Sequence, residues 1–333
     1  MREALDLGDA PAASGRRFQV LSLSGGGARG LYTACVLEAL EQRAGAPLSR
    51  CFDLLAGTSI GGIIALGLAT GRSAAEVRKL VEAAGPRLFP DSGRAWRRVR
   101  GLFRARYDEG PLREVIREVV GEAATLGDLR TPLVVPAVAL SAGAAQVFRS
   151  PHHGAHESQS GVRLLDVAMT TAAAPGVFPV ARIGDTEYVD GGLVAHAPDA
   201  VALHEAQVFF GKRREDVFML SVGTTRDLAA LAAGGAASRG LLFWMRDNRL
   251  AEVVMGAQQS LALTQVEEAL GERYLAINTA RSRRQAAAVA LDRWDREATA
   301  TLKAMAAHAV TEAASKPALA RFLSHRSHRE PAR

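Results

Sequence analysis

Three short segments of the chain hold side chains whose types and spacing could do chemistry. Gly57-Thr58-Ser59-Ile60-Gly61 is a Gly-x-Ser-x-Gly run. It follows an apolar stretch and leads into a helical pattern, the setting in which a serine sits on a sharp strand-to-helix turn. There the positive end of the helix dipole favours developing negative charge. A serine hydroxyl is scarcely ionised near neutral pH, so its use as a nucleophile requires a base. Asp190, in Asp190-Gly191-Gly192, is the candidate. Burial raises the basicity of a carboxylate, and two glycines let its loop press close to the serine turn. Each segment also has a plainer reading: Ser59 as a helix N-cap, Asp-Gly-Gly as a turn.

The third segment is Gly25-Gly26-Gly27-Ala28-Arg29-Gly30. It matches Gly-x-Gly-x-x-Gly, and Asp53 lies 23 residues beyond Gly30, the pattern of a dinucleotide-binding turn with its ribose-binding acid. The competing reading is an oxyanion hole, since consecutive glycines let backbone N–H groups converge on one point. A nucleotide site would leave the Ser59 turn unexplained, so the oxyanion reading is preferred. Histidines are expected to stay out of the catalytic unit. His196 and His204 follow Asp190, but six residues after a Gly-Gly turn is a short tether, and His196 reads as a loop or surface residue. His152, His153 and His156 lack an acid or cysteine set at a familiar metal-binding spacing and read as a polar loop.

These segments need a scaffold, and the flanking pattern supplies one. Phe18 to Leu23 and Phe52 to Ala56 read as buried strands, each ending in one of the glycine turns. Leu31 to Arg43, Gly62 to Ala69 and Ala74 to Ala84 have helical spacing. Strand–turn–helix alternation predicts a parallel sheet covered by helices. Further along, Leu112 to Val120, Leu164 to Ala173 and Asp199 to Ala206 read as helices. Leu133 to Leu140, Gln146 to Arg149, Glu187 to Val189 and Val217 to Val222 read as strands. From Gly240 onward the pattern is mostly helical, with one strand near Arg273 to Ile277.

At 333 residues the chain suits one large α/β domain with an appendage, or two domains. The expected division is a flexible tail over 1–16, a catalytic domain over 17–206, strands and helices over 207–320 on the same core, and a basic tail over 321–333. Apolar residues at 48% exclude wholesale disorder, and no apolar run reaches the length of a spanning helix. The formal charge is +6, with 37 arginines against four lysines. Arginine favours planar, bidentate partners such as phosphates. Residues 85–110 concentrate it among aromatics, including Trp96, Arg97, Arg98 and Phe103. That segment reads as a solvated loop, a lid meeting anionic lipid headgroups, or part of a phosphodiester site. Arg281, Arg283 and Arg284 form a second candidate for a nucleotide pocket. No nucleic-acid-binding module is recognisable, so DNA and RNA are not expected partners. Cys35 and Cys51 suit buried free thiols, and no signal peptide is visible, so a cytoplasmic location is expected.

Taken in order, Gly-Gly-Gly-x-Arg-Gly, Gly-x-Ser-x-Gly and Asp-Gly-Gly resemble the patatin-like phospholipase family over Phe18 to Glu205. The resemblance implies a three-layer α/β fold with a mainly parallel central sheet and a largely helical C-terminal extension. It implies a Ser59–Asp190 dyad, and an oxyanion hole from the backbone of Gly26 and Gly27 beside Arg29. Gly25, Gly30, Gly57, Gly61, Gly191 and Gly192 would be the motif glycines. The implied reaction is ester hydrolysis of phospholipids through an acyl-enzyme, with no metal or other cofactor required. Leu21 to Ala34, Leu220-Ser221-Val222-Gly223-Thr224 and a helical tail with Trp244 and Gln258-Gln259 are similar to bacterial antiphage effectors activated by cyclic nucleotides. That similarity implies a cyclic dinucleotide or trinucleotide activator, action at the inner membrane surface and homo-oligomerisation on activation. It assigns no nucleotide-binding residues. The alternatives are an esterase or thioesterase on soluble acyl substrates, and a non-hydrolytic dinucleotide-binding protein.

Overall fold

The computed structural model describes residues 17–90, 104–227 and 249–327. The expected N-terminal tail, the candidates Trp96, Arg97, Arg98 and Phe103, Trp244 and residues 328–333 lie outside them. Strand β1 (Phe18–Leu23) leads through the glycine loop to helix α1 (Gly30–Ala44), a short α2 (Leu48–Cys51) and β2 (Leu54–Gly57). Helices α3 (Ile60–Ala69), α4 (Ala74–Leu88) and α5 (Glu109–Val120) follow, then β3 (Leu133–Ala139) and β4 (Ala144–Arg149). Next come α6 (Leu164–Ala172), β5 (Ala181–Ile183), β6 (Thr186–Asp190), a four-residue α7 (Gly192–Ala195), α8 (Asp199–Val208) and β7 (Val217–Val222). The rest comprises β8 (Arg226–Asp227), α9 (Arg249–Leu270), β9 (Tyr274–Ile277), β10 (Ala280–Arg281), α10 (Arg283–Ala288), α11 (Arg296–Ala314) and α12 (Pro317–Ser324).

The main sheet runs β5-β6-β3-β2-β1-β7-β9, with β4 paired to β3. The five strands from β3 to β9 are parallel, and β4, β5 and β6 add the antiparallel flank. Both faces are covered, which is why the central strands read as mostly apolar runs, broken only by buried polar residues such as Gln19 and Ser22. Leu21, Leu23, Leu55, Leu220 and Val222 enter the larger core with residues of α1, α3 and α11. Their neighbours Val20, Leu54, Ala56 and Met219 enter the opposite core, with Ala202 and Leu203 of α8 and Val266 and Leu270 of α9.

One detail of the sheet decides where the site forms. β4 occupies one edge of β3 along Val134 to Ala139. The other edge is shared: β2 pairs with Leu133 and Val134, and β6 pairs with Ala137 to Ala139. β2 runs parallel to β3 and β6 antiparallel, so their C-terminal ends face each other across Val135 and Pro136.

The C-terminal helices belong to the same packing. The buried Gln19 side chain of β1 donates to the carbonyls of Cys51 and Phe322, at 2.7 and 2.8 Å. Residues 321–324, expected in the basic tail, form the last turn of α12, with Phe322 and Leu323 buried. The described flanks of the arginine-rich segment are anchored too. Phe89 and Tyr107 are buried edge to face at 5.5 Å, and Arg106 pairs with Asp292. β5 and the small β8–β10 ladder have no clear sequence signal, because two- and three-residue strands are too short to show a period.

Candidate active site

Ser59 sits between β2 and α3 with φ 55° and ψ −126°. Such a conformation costs a non-glycine residue on the order of 1–3 kcal/mol and persists only where surrounding structure enforces it. The enforcement is visible. A Cβ on Gly61 would lie 2.4 Å from the Leu23 carbonyl oxygen, so only glycine lets α3 start this close to β1. The Ser59 amide donates to Thr171 Oγ1 at 3.0 Å, and that hydroxyl donates to the Pro136 carbonyl at 2.7 Å. Thr171 therefore ties the elbow to the strand edge where β2 and β6 meet. Sequence reasoning overlooked it; the signal was a pair of threonines inside an apolar helix.

Asp190 ends β6, and its backbone N–H donates to the Ala173 carbonyl at 3.0 Å. The Ser59 hydroxyl donates to Asp190 Oδ2 at 2.7 Å, and the Gly192 amide donates to Oδ1 at 2.7 Å. The carboxyl is 6% exposed. Burial raises its pKa to about 6, against the two hydrogen bonds that pull it down. A carboxylate with that pKa is ionised at neutral pH and still basic enough to draw a serine proton.

The glycine loop lies beside the elbow: a Cβ on Gly25 would be 3.3 Å from Ser59 Cβ. Its path is set by backbone bonds from Ser24 N to Val222 O, Gly25 N to His196 O and Ala28 N to Leu291 O, and by Thr224 Oγ1 donating to Gly25 O at 2.6 Å. Gly27 has φ 55°, and a Cβ there would lie 2.3 Å from Leu291 O. The Gly26 and Gly27 amides pair with no acceptor among the described residues. Arg29 donates through its amide to Gly26 O at 3.1 Å, which closes the turn into α1.

His196, expected as a loop or surface residue, lies in the loop after α7 but is buried rather than on the surface. It is 7% exposed, and its ring packs over Gly25 and Gly192. Burial, with the Arg29 charge second, pushes its pKa down to about 4, so the ring is neutral at pH 7. It is a wall of the site, and Ser59 and Asp190 bond to each other rather than to it. Its amide donates to Gln258 Oε1 at 3.0 Å, so α9 helps to hold the site. His204 is exposed.

The expected polar histidine loop also folds inward. His152 Nε2 is 2.9 Å from Glu205 Oε1 and His156 Nε2 is 3.9 Å from it, with all three side chains buried. These are metal-type ligand atoms within 4.8 Å of one another, and the acid comes from α8, far along the chain. Arg149 Nε already donates to both Glu205 oxygens, at 3.0 and 2.9 Å. Asp53 rules out the dinucleotide fingerprint. It precedes β2, at the opposite end of the sheet from Gly25, where it accepts from Gln19 N and bonds His325 Nε2. Cys35 and Cys51 are free thiols, Cys51 buried and Cys35 half-buried.

Comparison with known proteins shows the family of the chain. A family model described as patatin-like phospholipase matches residues 21–203. A Pseudomonas aeruginosa (strain BWHPSA011 / Pa011) protein named cGAMP-activated phospholipase is 39% identical over 312 residues, covering 93% of each chain. A Vibrio cholerae protein of the same name is 37% identical over 270 residues, covering 74% of this chain and 75% of that one. An Escherichia coli protein of that name is 33% identical, covering 77% and 76%.

Proposed function

Because this chain belongs to the patatin-like phospholipase family, we propose that it hydrolyses acyl esters of membrane phospholipids through Ser59 and Asp190. The observation that carries the residue assignment is the 2.7 Å hydrogen bond from the Ser59 hydroxyl to a buried, basic Asp190. As Ser59 Oγ attacks the ester carbonyl, Asp190 takes its proton. The carbonyl π electrons move onto oxygen, and the resulting oxyanion meets the Gly26 and Gly27 amides beside Arg29. Collapse of the tetrahedral species breaks the C–O bond, and Asp190 returns the proton to the departing lysolipid alcohol. Water then attacks the acyl carbonyl as Asp190 accepts one of its protons; the bond from Ser59 Oγ to the acyl carbon breaks, Asp190 returns that proton to Ser59 Oγ, and the fatty acid leaves. Every step uses side chains and amides already present, so the dyad needs no cofactor.

A cyclic nucleotide activates this hydrolysis in our reading, as the names of the relatives from Pseudomonas, Vibrio and Escherichia suggest. The protein works from the cytoplasm at the inner membrane surface, as a peripheral and self-associating enzyme. The absence of any helix among the described residues long and apolar enough to cross a membrane is compatible with peripheral action. The test is phospholipid hydrolysis on mixed liposomes by wild type and Ser59→Ala, with and without cGAMP and other cyclic di- and trinucleotides. Hydrolysis in wild type alone supports the dyad, and dependence on one nucleotide supports activation. Equal hydrolysis by Ser59→Ala overturns the dyad.

A further inference from the structure

The sheet reverses its strand order at β1. From there the chain proceeds to β2 and β3 on one side and later to β7 and β9 on the other. The helices after β1 and β7 leave to opposite faces, α1 into the larger core and α9 against the smaller one. In open α/β sheets such a reversal leaves a crevice beyond the C-terminal ends of the two strands, and ligands bind there. The Ser59–Asp190 pair lies on the β2 and β6 side of the glycine loop. On the β7 side is a cavity of about 1100 Å³, bounded by α9, β9 and β10 and the segments around α10 and α11. Ligand pockets usually hold about 300–1,000 Å³, so this space accepts a molecule of nucleotide size or larger.

The wall is mixed: Val253, Leu263 and Val289 are among its apolar side chains, and a charged set stands among them. Arg29, Arg226, Arg281 and Lys316 line it, as do the acids Glu252, Glu267 and Glu312. Thr225 and Asn278, which follow β7 and β9, are part of the wall, and Thr225 Oγ1 and Asn278 Oδ1 have no hydrogen-bond partner among the described residues. Thr225 is 4% exposed and holds φ 74°, one of two non-glycine residues with positive φ among those described; the other is the nucleophile. Backbone strain of this kind concentrates at catalytic and ligand-binding sites. An acyl chain in this space would leave buried hydroxyl and amide groups unpaired, which is costly. A ligand with phosphates for the cations, and with ribose hydroxyls and base amino groups for the acids and the amide, satisfies both signs of charge.

We propose that this cavity is a binding site for a phosphodiester, with a cyclic dinucleotide as the occupant; this rests on the nucleotide activation proposed above. The ligand lies between Arg226 and Asn278 on the sheet side and α9 and α11 on the helical side. Arg29 and His196 border both this cavity and the loop beside Ser59, and Leu291 lines the cavity while its carbonyl accepts from Ala28 N. Occupancy therefore bears directly on the loop that supplies the oxyanion donors.

The experiment is calorimetric titration of the full chain in a Ser59→Ala background, which binds without turnover. The probes are cGAMP and glycerophosphoglycerol, the phosphodiester of a lipid headgroup without its acyl chains. Binding of cGAMP that weakens by about tenfold or more in Arg226→Glu and in Asn278→Ala supports the site with a nucleotide as its source. Unfolding midpoints of the ligand-free variants establish that each is folded, and Arg226→Gln replaces the charge reversal if it is not. Binding of glycerophosphoglycerol alone, with the same losses, keeps the phosphodiester site, names a lipid headgroup as its source and removes the nucleotide reading. Stimulation of wild-type hydrolysis by cGAMP that persists unchanged in the two variants overturns the cavity assignment and leaves nucleotide activation standing. Absence of binding by both probes, together with absence of stimulation, overturns both.

Discussion

The Ser59 hydroxyl and Asp190 Oδ2 stand 2.7 Å apart although 131 positions separate them in sequence. They meet because β2 and β6 share one edge of β3 and end facing each other. Thr171 bonds the elbow amide and the Pro136 carbonyl at that junction, so the serine cannot shift without breaking a contact to the strand. Asp190 is held by its own backbone pairing with Ala137 and by the Gly192 amide. The pair is preorganised in the ground state, which is what proton transfer during attack requires.

Ser59→Ala abolishes hydrolysis, and Asp190→Asn lowers it by about 10³-fold or more, since neither half of the unit acts alone. Rates on mixed phospholipid liposomes check this. A residual rate in Asp190→Asn within tenfold of wild type would sink the assignment of Asp190 as base.

Asp190→Asn also raises stability above neutral pH. The folded pKa of about 6 exceeds the ordinary 3.8, so the folded state holds this proton more tightly than the unfolded state. That contribution is complete below pH 4 and is lost as pH rises through 6. At pH 8 the wild type carries a buried charge that the amide lacks, and the variant unfolds a few degrees higher. Melting curves at pH 8 and pH 4 measure it, and the difference shrinks at the lower pH.

The pH profile of kcat/KM has an acid limb with a midpoint near 6, as protonation of Asp190 removes the base. His196→Asn keeps that limb, because the buried imidazole is already neutral throughout this range. Loss of the limb in the variant would restore a histidine to the catalytic unit.

Thr171→Val leaves the Ser59 amide without its acceptor and the Pro136 carbonyl without its donor. The expected result is a kcat lower by about 10–100-fold with KM nearly unchanged, and recovery in Thr171→Ser. A purely structural role would lower the melting temperature without this split in the kinetic constants.

Gly27→Ala places a Cβ 2.3 Å from the Leu291 carbonyl at a residue with φ 55°. Both the clash and the backbone strain move the loop, so activity falls together with a loss of roughly 1–3 kcal/mol in stability. Urea unfolding and liposome assays on one preparation would read the two effects.

The three glycine-punctuated segments were legible because their cues are local. A strand pattern, a turn that tolerates no side chain and a helical period all arise within about ten residues, from short-range sterics and the spacing of apolar groups. That was enough to mark the proposed nucleophile, base and oxyanion loop and to give the mainly parallel α/β class. Pairings across long stretches of chain carry no such mark. Glu205 joins His152 and His156 only because α8 packs over β1, β2 and β7 in the smaller core, against which Val147 of β4 also packs. Gln258 reaches His196, and Phe322 reaches Gln19, through helices whose sequence fits many surfaces equally well. His196 looked exposed because a short loop after two glycines has no burial period, and only the converging glycine faces enclose it. The sequence by itself determined which residues could react. Tertiary structure decided which of them touch, what surrounds them and where the cavity beside β7 opens, because strand order and helix packing depend on the shape of the whole core rather than on any local run of residues.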